Sequence, residues 1–316
     1  MSARLLLRWL LLLQVAAVLA IGAAARRWLG LGWLPALALG AGALLLVRLL
    51  IFANNFRLSA RFASATPAQF RLGALAWLRL FGEEFSASML QSSWSMPRAA
   101  PRQVIYPGSS SPPVLLLHGY GCNSGYWTHL TALLDAARIS HATLDLAPIT
   151  GDIDGYVPLV QCAAEQLRAR AGAPRLVIVG HSMGGLVARA WLRAHGTARV
   201  ARVITLGTPH HGTCLASFGI GRNAEQMRRT GAGDGSENAW LRALAAGESA
   251  ATRALITSLY SHHDNIIAPQ TSSHLAGARN IALGGVGHVA LGRNPGVLAQ
   301  VMQELAALSA ALEPDL

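Results

Sequence analysis

The 316-residue chain contains no lysine, and all 26 of its basic residues are arginines. That absence is read as a base-composition bias in the coding sequence and not as chemistry. Charged residues of either sign make up only 13%, against 52% hydrophobic, which is too few for an ordinary soluble chain. Cysteine is scarce: Cys122, Cys162 and Cys214 stand far apart with no Cys-x-x-Cys pair, a spacing that supports neither a disulfide framework nor a thiolate metal site. Cys162 falls in a helical pattern and reads as a small buried apolar residue. Acids are nearly missing from the front of the chain. The first 102 residues hold eleven arginines and only Glu83 and Glu84 as acids, whereas the remaining 214 hold fifteen arginines against thirteen acids. The formal net charge of +11 therefore belongs to one end. Its distribution argues against a nucleic-acid partner and points to anionic lipid headgroups.

Long apolar runs occupy that same end. Leu5 to Ala25 is apolar apart from Arg8 and Gln14, and Trp28 to Val47 carries no charge. Each run is long enough to cross a hydrocarbon core of about 30 Å as a helix. Arg26 and Arg27 separate them, so residues 1–53 read as a transmembrane helical hairpin that binds membrane lipids, in the inner membrane of a cell. A competing reading is a cleaved signal peptide, because Arg4, the first apolar run and Ala23-Ala24-Ala25 follow the usual order of charge, core and small residues. The second run then remains as an anchor. With both helices retained, the arginines outside the turn place both ends in the cytoplasm by the positive-inside rule; cleavage would reverse this.

Residues 54–112 read as an amphipathic helical linker. Thr66 and Pro67 form a helix start, followed by Phe70, Ala74, Trp77, Leu78 and Phe81 at helical spacing, with Arg79 and Glu83 on a polar side. Leu72, Leu75 and Leu80 fall off that stripe. Such a helix lies either on a membrane surface or against the domain that follows. Pro101 to Pro113 is a proline- and serine-rich loop that ends the region.

Residues 113–316 carry an α/β rhythm. Apolar strand-type runs occur at Val114 to Leu117, Ser140 to Leu146, Arg175 to Gly180, Ala198 to Leu206, Thr252 to Tyr260 and Arg279 to Leu283. Helical patterns cover Val157 to Ala171, the stretch after Ser182, and Pro295 to Leu312. Alternation of continuous apolar strands with helices predicts a mainly parallel sheet covered on both faces. Sites in such sheets form at the carboxyl ends of strands.

One of those ends reads Val179-Gly180-His181-Ser182-Met183-Gly184-Gly185. A strand, a tight turn bearing a serine and a helix make a nucleophile elbow, with Gly180 and Gly184 flanking the serine where a side chain would collide. Ser182 is the candidate nucleophile, and a serine needs a base. His118, His181, His210, His211, His262 and His263 all lie near strand ends, but His288 stands in a glycine-rich loop just beyond the last strand, able to bend back over the serine. The acid must fall between the two in the order serine, acid, histidine. Glu225, Asp234, Glu237, Glu248 and Asp264 are available, and Asp264 alone directly follows a strand. The oxyanion of acyl transfer needs fixed donors. The amides of Met183, after the nucleophile, and of Tyr120, in His118-Gly119-Tyr120-Gly121, suit that need whatever their side chains.

From Val114 to about Val301 the sequence resembles the bacterial lipases of the class 2 type within the α/β-hydrolase superfamily, through VLLLHGYG, VGHSMGG, VITLGTPHHGT and SLYSHHDNIIAPQTSSHLAGARNIALGGVGHVAL. The resemblance implies an α/β-hydrolase fold and an ester-cleaving triad of Ser182, Asp264 and His288, with oxyanion amides at Tyr120 and Met183. It departs from the larger family members after the histidine, where His288-Val289-Ala290-Leu291 lacks their calcium-ligand aspartate, so no metal and no cofactor is expected. An insertion at about 214–250, with Met227, Trp240 and Leu241, reads as a lid or acyl-binding wall. The resulting expectation is a membrane-anchored serine hydrolase of lipid acyl esters working through an acyl-enzyme. The alternatives are an acyltransferase with the same triad and a catalytically silent membrane-bound binding module.

Overall fold

The computed structural model describes residues 2–230 and 236–312; Asp234, one of the acids weighed above, lies outside them. Two helices open the chain, α1 (Ala3–Leu29) and α2 (Trp33–Arg61). Both are long and apolar enough to cross a membrane, and only 6% and 17% of their most apolar stretches is buried inside the protein, unlike the core helix of a globule. They meet through small residues. A side chain on Gly40 would stand 2.5 Å from the Val18 carbonyl oxygen, and one on Gly22 would touch Leu37 and Ala36. Close backbone approach of this kind supplies the van der Waals contact that lipid-facing helices rely on. The second helix runs unbroken past Val47 to Arg61.

The next helix differs from the expected stripe. It is α3 (Ala74–Leu90), preceded by a single tight turn at Ala68–Phe70 and started at Gly73, because proline and glycine at 67 and 73 restrict the intervening chain to one turn. Its buried face is Leu80, Glu84 and Ala87, while Trp77 is 44% and Leu78 68% exposed. Leu80, off the expected stripe, is fully buried. The helix serves two surfaces, since Phe81 and Phe85 lie 5.1 and 5.3 Å, ring to ring, from Phe52 of α2. A wide turn (Gln91–Ser95) and the short α4 (Met96–Arg98) complete the segment. It touches the chain that follows at several points: Ser64 N donates to Gln270, Phe70 lies on His262 and Trp77 on His263.

The sheet then builds from β1 (Gln103–Val104), β2 (Val114–Leu117), β3 (His141–Leu144), β4 (Leu176–His181) and β5 (Val200–Leu206). Between these lie α5 (Thr128–Ala136), α6 (Val157–Ala171) and α7 (Met183–His195). After β5 come α8 (Arg222–Gln226), the small ribbon β6 (Arg229–Thr230) and β7 (Ser236–Glu237), α9 (Ala239–Ala246) and α10 (Ala250–Ala254). β8 (Ile256–Ser261), β9 (Arg279–Leu283) and α11 (Pro295–Leu312) end the fold. The strand order is β1-β3-β2-β4-β5-β8-β9, and only β1 runs antiparallel. Continuous apolar strands follow from two covered faces: Leu115, Leu117, Leu176 and Ile178 join one buried cluster, and Val114, Leu116, Val177 and Val179 join the other.

Two expectations are corrected. The stretch Thr252 to Tyr260 is not all strand: Ala250–Ala254 is helical, with the Ser249 side chain accepting from Thr252 N as its cap, because alanines behind an N-capping serine favour a helix. Cys162 is exposed, not buried, with its thiol on the outer side of α6, where Gln166 donates to it.

A buried ion pair ties the region after β5 to the core. Arg189 of α7 and Glu248 meet through two hydrogen bonds of 2.6 and 2.8 Å, with side chains 0% and 1% exposed. Removing one partner strands a buried charge, so Glu248→Ala should cost about 3–5 kcal/mol, whereas Arg189→Met with Glu248→Leu should recover most of it. Thermal unfolding of the two variants beside wild type measures the difference.

Candidate active site

β4 ends at His181 and α7 begins at Met183, and Ser182 between them is held at φ 53°, ψ −124°. Few side chains tolerate that region, and the strain persists because the surroundings leave no alternative. A Cβ on Gly180 would lie 2.6 Å from Gly185 N, one on Gly184 would run into the Leu117 carbonyl oxygen, and one on Gly185 would strike Thr208. The turn is therefore closed by three glycines. Gly119 adds a fourth close approach, its missing Cβ leaving 2.9 Å to Ser182 Cβ.

Asp264 and His288 come together although 24 residues separate them. His288 Nδ1 and Asp264 Oδ2 are 2.7 Å apart, and Asp264 Oδ1 accepts from Ile266 N and Ile267 N at 2.8 and 2.7 Å. These bonds fix the carboxylate before it meets the ring. The main chain of His288 is fixed as well: its N–H donates to Asn265 Oδ1 at 3.0 Å, and its carbonyl lies 3.2 Å from His181 Nε2. The His181 and His288 rings are 4.6 Å apart, which brings His288 to the neighbourhood of Ser182. Gly207 lies against the pair, where a Cβ would stand 3.1 Å from Asp264 Oδ2 and 3.2 Å from His288 Nδ1.

Burial lowers the pKa of His118, His181, His210, His262 and His263. His288 differs. Burial pulls it down too, but the charge and hydrogen bond of Asp264 and the charge of Glu84 outweigh that and hold it above the ordinary imidazole value. The other histidines have structural partners: His118 Nε2 accepts from Leu146 N, and His210 Nε2 lies beside Thr205 Oγ1.

Met183 is the first residue of its helix, so its N–H is one of those a helix leaves without an internal acceptor. The Tyr120 N–H has no main-chain acceptor among the described residues. The Tyr120 side chain is not idle, contrary to the expectation that only its amide matters. Its hydroxyl donates to Ile220 O at 2.8 Å and accepts from Ile220 N at 3.0 Å, which pins the segment after β5 over the site.

Ser182 borders a cavity of about 320 Å³ walled by Tyr120, Leu215, Phe218, Met227, Ile266 and Ile267, with Asn55 and Leu58 of α2 closing one side. Of the three residues expected in the wall of the insertion, Met227 lines the cavity. Leu241 is buried in the main core, and Trp240 Nε1 donates to Asp154. No group of three or more metal-binding side chains occurs among the described residues.

The family profile described as the α/β-hydrolase fold matches residues 112–238. Triacylglycerol lipases of Pseudarthrobacter phenanthrenivorans and Burkholderia plantarii are each 31% identical over 114 residues, covering 34% of this chain and 35% and 32% of theirs. In structure, a mature Bacillus licheniformis lipase superposes with a TM-score of 0.54 at 16% identity, over 65% of this chain and 97% of that one. Lipase B of Aspergillus fumigatus superposes with a TM-score of 0.53 at 21% identity, over 64% and 54%. The chain has the α/β-hydrolase fold. It spans about a third of the length of the curated relatives it matches, and the profile match stops before Asp264 and His288.

The structure adds residues that the sequence reading passed over. Gly185 and Gly207 were signalled only by being glycines beside the elbow and a strand end. Asn265 carries a clearer signal, an amide directly beside the acid, whereas Glu84 carries none, because its partner amides lie some two hundred residues away. With His288 as the expected base the sign is fixed: only the neutral ring accepts a proton, so kcat/KM should be lost as pH falls through a pKa that Asp264 and Glu84 hold above the ordinary imidazole value. Asp264→Asn should lower kcat by about 10⁴-fold, on the scale of serine proteases, by favouring the wrong tautomer. A pH–rate profile of wild type and this variant reads both effects.

Proposed function

We propose that the protein is a membrane-anchored serine hydrolase that cleaves the carboxylic esters of lipid acyl chains. The observation that carries the reading is the Asp264–His288 bond at 2.7 Å, set beside a serine in the strained elbow conformation at an apolar cavity. Ser182 Oγ attacks the ester carbonyl while His288 takes its proton, and Asp264 holds the ring and the imidazolium that forms. The amides of Tyr120 and Met183 receive the tetrahedral oxyanion. Collapse expels the alcohol, protonated by His288, and leaves an acyl-serine. Water, deprotonated by His288, then releases the acid. The lipase names among the relatives support a lipid ester as substrate.

The anchoring half of the reading is supported by the two exposed apolar helices and by the cavity wall. Asn55 and Leu58 belong to the second of those helices, and Phe218 and Ile220 near the cavity are 65% and 76% exposed. An acyl chain leaving a bilayer would meet apolar surface up to the serine. Residues 1–53 act as the anchor, 54–112 as the connection and 113–316 as the catalytic unit, in which Leu215 to Met227 of the insertion supply one cavity wall. Retention of both helices with the arginines flanking them favours a cytoplasmic catalytic unit.

Hydrolysis of p-nitrophenyl esters of graded chain length by the full protein in detergent tests the activity. Wild type should cleave them with a preference for chains that fill the cavity, Ser182→Ala should fall by orders of magnitude, and a fluorophosphonate probe should label wild type alone. A folded wild type that cleaves none and takes no label overturns the reading.

A further inference from the structure

Glu84 is the least expected side chain near the site. It lies on α3, outside the hydrolase unit, and is 0% exposed. Its carboxylate takes two main-chain hydrogen bonds, from Val289 N at 2.8 Å and Ala290 N at 2.7 Å, the two peptides that directly follow His288. Gly287, the residue before it, completes the fit: a Cβ there would stand 2.5 Å from Glu84 Cδ. The glutamate occupies the space that a side chain at 287 would fill. Burying a carboxylate with so few partners is costly, and nothing in the packing of α3 requires it, because Leu80 and Ala87 on the same face are apolar.

We propose that Glu84 is a positioning residue for the base. By gripping the peptides of Val289 and Ala290, it fixes the height and tilt of His288 over Ser182, and its charge favours the imidazolium that forms when the serine loses its proton. The loop after β9 follows an edge strand and is rich in glycine, so it has little rigidity of its own. Four bonds hold it around His288: Asn265 on the N–H, His181 on the carbonyl, and Glu84 on the next two amides. The first two come from the hydrolase unit, whereas Glu84 comes from a helix whose phenylalanines pack on α2. The membrane-proximal segment is thereby a structural part of the active site. This rests on the reading of His288 as the base.

The charged and titratable groups that face the carboxylate are His288 and Asp264 on the loops after β9 and β8, and Tyr126 from the turn before α5. Glu83, its neighbour on α3, turns outward to Arg79 at 3.0 Å. Burial raises the Glu84 carboxyl to about 7 against the pull of its two amide donors and His288. Its charge is therefore most fully present in the alkaline range where the base works, and it acts on His288 in the same direction as Asp264.

The test uses the full-length protein in detergent micelles, with Glu84→Gln, Glu84→Ala and Gly287→Ala beside wild type and Glu83→Gln. Glu84→Gln keeps one acceptor and loses the charge. It should lower kcat about tenfold or more with KM little changed, and Glu84→Ala and Gly287→Ala, which release the loop, should approach about a hundredfold, the scale of a 1 Å misplacement. The acid limb of kcat/KM should move to lower pH in Glu84→Gln, and Glu83→Gln should match wild type. A ring titration of His288 by NMR, assigned with His288→Asn, should show the same downward move. The titration reads Glu84 even where ester hydrolysis is absent, so a failed hydrolase assignment leaves a different trace from a failed role for Glu84. Unchanged kcat and unchanged titration in folded Glu84→Gln overturn the proposal. It is equally overturned by a loss of kcat that follows the folded fraction with the titration unmoved, or by failure of all three variants to fold, since either result makes Glu84 a packing residue.

Discussion

The arrangement around Ser182 depends on a steric constraint: three backbones converge where no Cβ can be placed. β2, β4 and the first turn of α7 come together at Gly180, Gly184 and Gly185, so the chain at Ser182 has no relaxed path and takes φ 53°. The strain projects the serine beyond the carboxyl end of β4. Gly119, pressed against Ser182 from the end of β2, brings the Tyr120 amide along, and the start of α7 brings that of Met183. Ser182 and the amides of Tyr120 and Met183 are thus set by the same contact, and none of them can drift without the others.

Electrostatics then selects among histidines. Burial alone would make every imidazole near the site a weaker base, and it does so at His118, His181, His210, His262 and His263. Only where a carboxylate meets the ring directly is the effect reversed, as at His288. Environment, more than residue type, separates the acid–base roles.

The α/β order, the elbow and the pairing of Asp264 with His288 were legible because each leaves a local mark: an apolar run, a glycine spacing, an acid after a strand. α6, β9 and α11 begin and end where the periodicity does. The start of β8 was hidden because Ala250 to Ala254 has its own capping serine and forms a helix within an apparently continuous pattern. α3 was misread for another reason. A helix squeezed between α2 and the loop after β9 buries two separate lines of residues, and a single-stripe reading cannot represent both. Glu84 was lost with it, since a charge on a helix is taken for solvent-facing unless the partner amides, some two hundred residues away, are known. Tyr120 was half-read: its amide follows from position, but the bond of its hydroxyl to Ile220 exists only once the segment after β5 has folded back.

α2 is one uninterrupted helix from Trp33 to Arg61, and its residues Asn55 and Leu58 wall the cavity at Ser182. At 1.5 Å of rise per residue, Leu58 lies about 37 Å along the axis from Trp33. A rod that is apolar and exposed at one end and walls the cavity at the other holds Ser182 at a distance from the hairpin that the helix rise fixes. Adding or removing one turn of α2 would shift the Asn55 and Leu58 wall by about 5.4 Å relative to the hairpin while leaving Ser182, Asp264 and His288 untouched.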